Sequence, residues 1–211
     1  MTSIVLDIES IPTCEKSVID EIAAGILPPG NISKAETIAA WHAEKKPLLI
    51  DEAVRRTSFD GTYGRIIVFG MAVDDADPEV FCSAFEPDLL KQISAINVAP
   101  SPNIIGHNVS WDIRFLWQRF AVNDIPAPQW LRAAITAKPW DLSDTMLMWN
   151  PDREKRISLD KLCRILGIPS SKGKMDGSMV YEYFLAGKLE EIAAYCAGDV
   201  AATREVYRRL A

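Results

Sequence analysis

The sequence predicts an α/β domain in which a mixed sheet carries helices on both faces. Short apolar runs rich in β-branched residues, such as SIVLD near the start and NIIGHN at 103–108, read as buried strands. Segments with apolar residues three and four apart separate and follow these runs and read as amphipathic helices. At 211 residues and 48% hydrophobic content, the chain can bury a sizeable core, so one domain spanning 1–211 is expected.

The elements follow in order. SIVLD forms the first strand. Residues 13–64 are polar, helix-prone and broken by Pro28-Pro29-Gly30 and Pro47, which predicts an insertion of two or three short helices. GRIIVFGMAV (64–73) and EVFCSAF (79–85) are strands joined by a turn at 74–78. EPDLLKQISAI is a helix, NIIGHN a strand and SWDIRFLWQRF a helix. A short strand lies around 142–145. The helix SLDKLCRILGI starts at a Ser158 cap and stops near Gly167 and Pro169. The last helix, LEEIAAYCAGDVAATREVYRRL, places Ile192, Tyr195, Cys196, Asp199, Val200 and Thr203 on one stripe.

Acidic residues sit where apolar ones are expected. Asp7 and Glu9 are two apart on an extended segment, so both carboxylates point to the same side. Asp112 falls in the first turn of a helix, and Tyr195 and Asp199 are i and i+4 neighbours on the last one. An aspartate in a core-facing stripe is costly unless it is paired or binds a metal. Four carboxylates and a nearby phenol suit hard divalent cations, which take oxygen ligands. Two such ions about 4 Å apart stabilise both the attacking and the leaving oxygen of a phosphoryl displacement.

These motifs resemble those of the DEDD superfamily of 3′–5′ exonucleases, tyrosine subtype. Asp7-Ile8-Glu9 matches its first motif, Asn108-Val109-Ser110-Trp111-Asp112 its second, and Tyr195-Cys196-Ala197-Gly198-Asp199 its third. Trp111 stands where phenylalanine or tyrosine is usual. NIIGHNVSWDIRFL and SLDKLCRILGIPSSKGKMDGSMVYEYFLAGKLEEIAAYCAGDV carry a closer likeness to proteins related to the exonuclease domain of family-B DNA polymerases. The resemblance implies a ribonuclease-H-like fold, 3′–5′ exonuclease activity on DNA and two divalent cations, Mg²⁺ or Mn²⁺. It implies that Asp7, Glu9 and Asp199 hold one ion, that Asp7 bridges to the second, and that Asp112 supports the second. Tyr195 would orient the attacking water, since a phenol of ordinary pKa about 10 is a poor base at neutral pH. Ser10, Ile11, His107, Asn108 and Trp111 would lie against the substrate. The expected partner is single-stranded DNA or a DNA 3′ end. Alternatives are RNA, as in the ribonuclease D branch, and an inert exonuclease-shaped binding module, which should have lost at least one carboxylate.

Composition sets limits. No stretch approaches 18 uninterrupted apolar residues, so no membrane span is expected. The start lacks a basic leader region, which points away from a signal peptide and toward the cytoplasm. Cys14, Cys82, Cys163 and Cys196 are widely spaced, as reduced thiols would be, and Cys196 reads as core filler. Two histidines are too few for a histidine-based metal site. The net charge of −6 opposes phosphate binding overall. Local basic clusters oppose that trend, at Arg153, Lys155, Arg156 and Lys161 and at Lys172 and Lys174.

Overall fold

The computed structural model describes residues 2–152, 155–170 and 175–211. Arg153, Lys172 and Lys174 of the basic clusters lie outside the described residues. The chain divides into two compact units, one made of residues up to 10 together with 66–211, the other of 11–65.

The first unit is organised by a five-stranded sheet. Its strands are β1 (Ser3–Ile11), β2 (Arg65–Val73), β3 (Glu79–Cys82), β4 (Asn103–Gly106) and β5 (Ser143–Asp144), in the order β3-β2-β1-β4-β5. β1 is therefore central. It pairs parallel to β4, with Ser3 opposite Asn103 and Val5 opposite Ile105, and β4 pairs parallel to β5. β2 and β3 form an antiparallel hairpin. At the end of β2 the Asp74 amide donates to the Ser3 carbonyl at the start of β1, so those strands run in opposite directions. The sheet is mixed, as expected.

The period-2 alternation of β1 splits the core in two. Ile4, Leu6 and Ile8 join a large cluster with Leu89, Leu90 and Ile93 of α4 (Glu86–Ser94) and with Ile113, Leu116 and Phe120 of α5 (Val109–Val122). Val5 faces the other way, into a cluster with Ala72, Ile105 and Val200 of α10 (Leu189–Leu210). Helices thus cover both faces of the sheet.

Two strands end earlier than the sequence suggests. β3 stops at Cys82 rather than running to 85, because the Ser83 hydroxyl accepts from the Phe85 amide and turns the chain into α4. β4 stops at Gly106 because Asn108, at φ 66°, turns the backbone left-handed into α5. The expected strand at 142–145 is only two residues long. Asp144 accepts from the Met146 and Leu147 amides and caps a short helix, α7 (Thr145–Trp149), that was not anticipated. α6 (Gln129–Thr136) and α9 (Val180–Leu185) were also not anticipated. α8 (Leu159–Leu166) has the expected ends, with the Ser158 hydroxyl accepting from the Lys161 amide and Gly167 left-handed at φ 69°.

The second unit is helical, with α1 (Lys16–Gly25), α2 (Ala35–Ala40) and α3 (Lys46–Arg56). A π turn at Trp41–Lys45 joins α2 to α3. Its ends are tied together where the Thr13 amide donates to the Thr57 hydroxyl, 2.9 Å away, and that hydroxyl donates to the Val54 carbonyl.

Candidate active site

The face of β1 that carries Val5 continues into Asp7 and Glu9, and α10 packs across it. The approach is close because β2 offers Gly70 there. A Cβ on Gly70 would sit 2.8 Å from the Cys196 Sγ and 3.0 Å from Val200. With glycine the α10 stripe settles onto the sheet, which brings Cys196 to Asp7 and sets Tyr195 and Asp199 beside them.

Asp112 arrives from the opposite layer. Gly106 makes this possible, since a Cβ there would stand 2.6 Å from Val109 and prevent the tight passage from β4 into α5. Asp112 lies in the first turn of α5, is 5% exposed, and accepts from the Ile8 amide and from its own. It therefore reaches the same strand segment that carries Asp7 and Glu9.

The resulting group is tightly packed and acidic. Ligand atoms of Asp7, Glu9 and Cys196 lie within 4.8 Å of one another. Glu9 is 8% exposed, while Asp7 keeps a partial opening to solvent. Burial, reinforced by Asp199, pushes the Asp7 carboxyl up to about 8, against the thiol of Cys196 donating to it at 3.5 Å. Burial also pushes Glu9 well above the carboxylate range, with Asp7, Asp199 and Asp112 adding to the effect. Asp112 is raised by burial and by Asp7, and the two amide donors oppose the shift. Three carboxyl groups thus favour the neutral form because water is excluded and their neighbours are like-charged.

Such a cluster needs either protons or cations. Its donor set is oxygen from carboxylates, which suits hard divalent ions such as Mg²⁺ and Mn²⁺. Cys196 does not change that preference. Burial and the surrounding carboxylates push its thiol up, and it donates its proton to Asp7.

Tyr195 is half-buried. Burial and the Asp199 charge hold its phenol strongly protonated, and the hydroxyl donates to Asp199. The hydroxyl lies beside Gly177, 3.9 Å from where a Cβ there would be, an ordinary contact distance.

The residues expected to touch substrate are placed less uniformly. Asn108 heads α5 and its amide donates to Asp144 at 2.9 Å. His107 holds the Thr145 hydroxyl at 2.9 Å with Nδ1 and the Ile157 carbonyl at 2.8 Å with Nε2. Both ring nitrogens are engaged inside the fold, so this ring braces the turn before α5 against Thr145 and Ile157. Trp111 packs against the large core with its ring 5.1 Å from Phe115. Ser10 closes the β1 portion of the first unit, and Ile11 opens the second. Two members of the neighbourhood were not anticipated. Cys196 was read as filler, although its place on the Asp199 stripe was visible. Asp144, 2% exposed, binds three amides and adds its charge to Asp112.

A mixed sheet in the order β3-β2-β1-β4-β5, with acidic residues on its central strand, defines a ribonuclease-H-like α/β protein. The family described as "predicted 3′–5′ exonuclease related to the exonuclease domain of PolB" matches residues 63–211, and the chain belongs to that family. The match includes Asp112, Tyr195 and Asp199; Asp7 and Glu9 lie outside it and join them through the fold. Among solved structures, the chain is similar to the family B DNA polymerase from the hyperthermophilic archaeon Pyrobaculum calidifontis, with a TM-score of 0.54 and 16% identity. All of this chain but only 24% of the polymerase chain is covered. A comparison with curated proteins gives no match.

Proposed function

We propose that the chain is a metal-dependent 3′–5′ exonuclease that removes nucleoside monophosphates from the 3′ end of DNA. The observation that carries this reading is the convergence of Asp7, Glu9 and Asp112 at raised pKa with Asp199 and the Tyr195 hydroxyl. Asp7, Glu9 and Asp199 would hold one divalent cation, and Asp7 with Asp112 a second. When bound, these ions supply positive charge at the scissile phosphate and lower the pKa of water to generate a nucleophile.

The remaining work falls to the chain itself. β1 and α10 fix the carboxylates in a buried, largely water-excluded cluster, so little reorganisation accompanies reaction. Tyr195 contributes position rather than basicity, because its phenol stays protonated: its proton goes to Asp199, and its oxygen can accept from a water. Its hydroxyl, now on Asp199, would orient the attacking water. Cys196 fixes one oxygen of Asp7 by donating to it, leaving the other free to ligate. Asn108 and Trp111, at the start of α5, would flank the terminal nucleotide, with Ser10 beyond Glu9; Ile11, fully buried, leaves that role.

The test is digestion of 5′-labelled single-stranded DNA and RNA with Mg²⁺, Mn²⁺ or EDTA. A ladder shortening from the 3′ end of DNA, with mononucleotide release and no reaction in EDTA, is expected. Equal digestion with EDTA would sink the metal dependence, and digestion of RNA alone would sink the DNA assignment.

A further inference from the structure

A second feature of the first unit lies beside the acidic cluster. A cleft of about 270 Å³ opens at the start of α5, and its lining includes Ser110 and Arg114 on α5, Asn150 after α7, and Lys155 and Arg156 beyond. Ser110 and Arg114 are i and i+4, on one face of the helix. Asp112 lies between them in sequence and turns away, toward β1. One helix start thus serves the carboxylates on one side and this cleft on the other.

No ion pair among the described residues neutralises the basic side chains of the cleft, and Arg114, Lys155 and Arg156 are exposed. The chain carries a net charge of −6, so three cations around one opening run against its general character. The acidic residue in the lining, Asp144, is already engaged, with Oδ1 accepting from the Asn108, Met146 and Leu147 amides. The Asn108 side chain and the Ser110 hydroxyl hold no hydrogen bond among the described residues and remain available as donors. The basic segment is held against the cleft where the Asn150 side-chain amide donates to the Lys155 carbonyl at 2.6 Å. Exposed cations beside neutral donors match the chemistry of a phosphodiester, whose oxygens are negative and accept several hydrogen bonds.

We infer that this cleft grips internal phosphates of the single-stranded DNA whose 3′ end enters the acidic cluster. The inference rests on the exonuclease reading for the identity of the ligand. It adds a place where strand affinity is generated apart from the acidic cluster. Phosphate contacts do not read the base or the sugar, so binding here is independent of sequence.

The experiment uses the full chain in EDTA, where strands bind without being cut. A 5′-fluorescein single strand of DNA and its RNA counterpart are titrated by anisotropy at several KCl concentrations. The variant Arg114→Gln/Lys155→Gln/Arg156→Gln is compared with the parent and with a control of equal charge change, Lys16→Gln/Lys91→Gln/Arg209→Gln. Each lost phosphate contact on a single strand lowers the slope of log affinity against log salt by about 0.7, so the cleft variant should lose about two from its slope. Its affinity at low salt should fall by about 10–100-fold, with the control within about twofold of the parent.

No change in slope for the cleft variant, an equal fall in the control, or a loss confined to RNA would overturn the inference. A parent that binds DNA with the expected slope yet releases no nucleotide with Mn²⁺ would overturn the exonuclease reading and leave the cleft assigned. A parent that cuts DNA, paired with a cleft variant of unchanged slope, would do the reverse. A parent that binds neither strand overturns both.

Discussion

The Tyr195 phenol and the Asp7 carboxyl sit in the same cluster, yet their substitutions should behave in opposite ways. Tyr195→Phe keeps the ring and removes only the hydroxyl that donates to Asp199. It should slow turnover by about 10–10³-fold, the range from a lost positioning contact to general-acid magnitude, with the melting temperature almost unchanged. Full activity in Tyr195→Phe with instability in Tyr195→Ala would instead make the ring ordinary packing. Asp7→Asn removes a charge from a site where burial and Asp199 already oppose it. It should abolish Mn²⁺-supported digestion while raising the melting temperature of the metal-free protein near pH 8. Calorimetry in EDTA paired with a digestion assay checks both halves. At this scale the carboxylates and Tyr195 were legible, because acidic residues at period 2 on a strand and at i, i+4 on an apolar stripe violate burial rules. The contact of Cys196 with Asp7 was not, since it depends on Gly70 letting α10 close on β2, and nothing near Cys196 in sequence reports that.

Elements are positioned by a buried ion pair that sequence reading did not find. Glu86 at the start of α4 accepts from Arg119 of α5 through both oxygens, at 2.9 and 2.7 Å. It also accepts from the Ile66 amide of β2 at 2.7 Å and from Asn123 at 3.0 Å. The Arg119 and Glu86 side chains are 7% and 4% exposed, so removing one partner strands the other charge in the core. Arg119→Ala should destabilise the protein by about 3–5 kcal/mol, far more than an exposed pair such as Lys91 with Asp88. Urea denaturation of the two single variants Arg119→Ala and Lys91→Ala decides it, and equal losses would refute the assignment. Glu86 and Arg119 are 33 residues apart, and nothing near either in sequence reports that α4 and α5 meet. Long elements with strong periodicity were therefore readable, including the strand at 64–73 and the helix at 189–210. α7 and α9 were not, being six residues or fewer, with too few turns to show a period, and α6 lacks the serine cap and glycine stop that marked α8 at the same length.

For the whole molecule, the raised carboxyl groups couple stability to pH and to cations. Asp7, Glu9 and Asp112 all bind protons more tightly folded than unfolded, where carboxyl groups titrate near pH 4. Between that value and the folded pKa, about 8 for Asp7, the native state holds more protons than the unfolded chain. Stability rises with pH only where the unfolded state holds more, so here it must fall. The stabilisation is complete below about pH 4 and is lost as pH climbs through 8. In EDTA the melting temperature should therefore drop steadily from pH 5.5 to 8.5, by about 2–4 °C for each kcal/mol lost in a chain of this size. Divalent cations held by the native cluster would displace its protons, so Mn²⁺ should restore more of the melting temperature at pH 8.5 than at pH 5.5. The combined variant Asp7→Asn/Glu9→Gln should flatten both dependences, because the groups that exchange protons for cations are gone. A metal-free protein whose stability rose across this interval, or a Mn²⁺ effect that was the same at both ends, would show that the cluster is ionised and open to water, contrary to its burial.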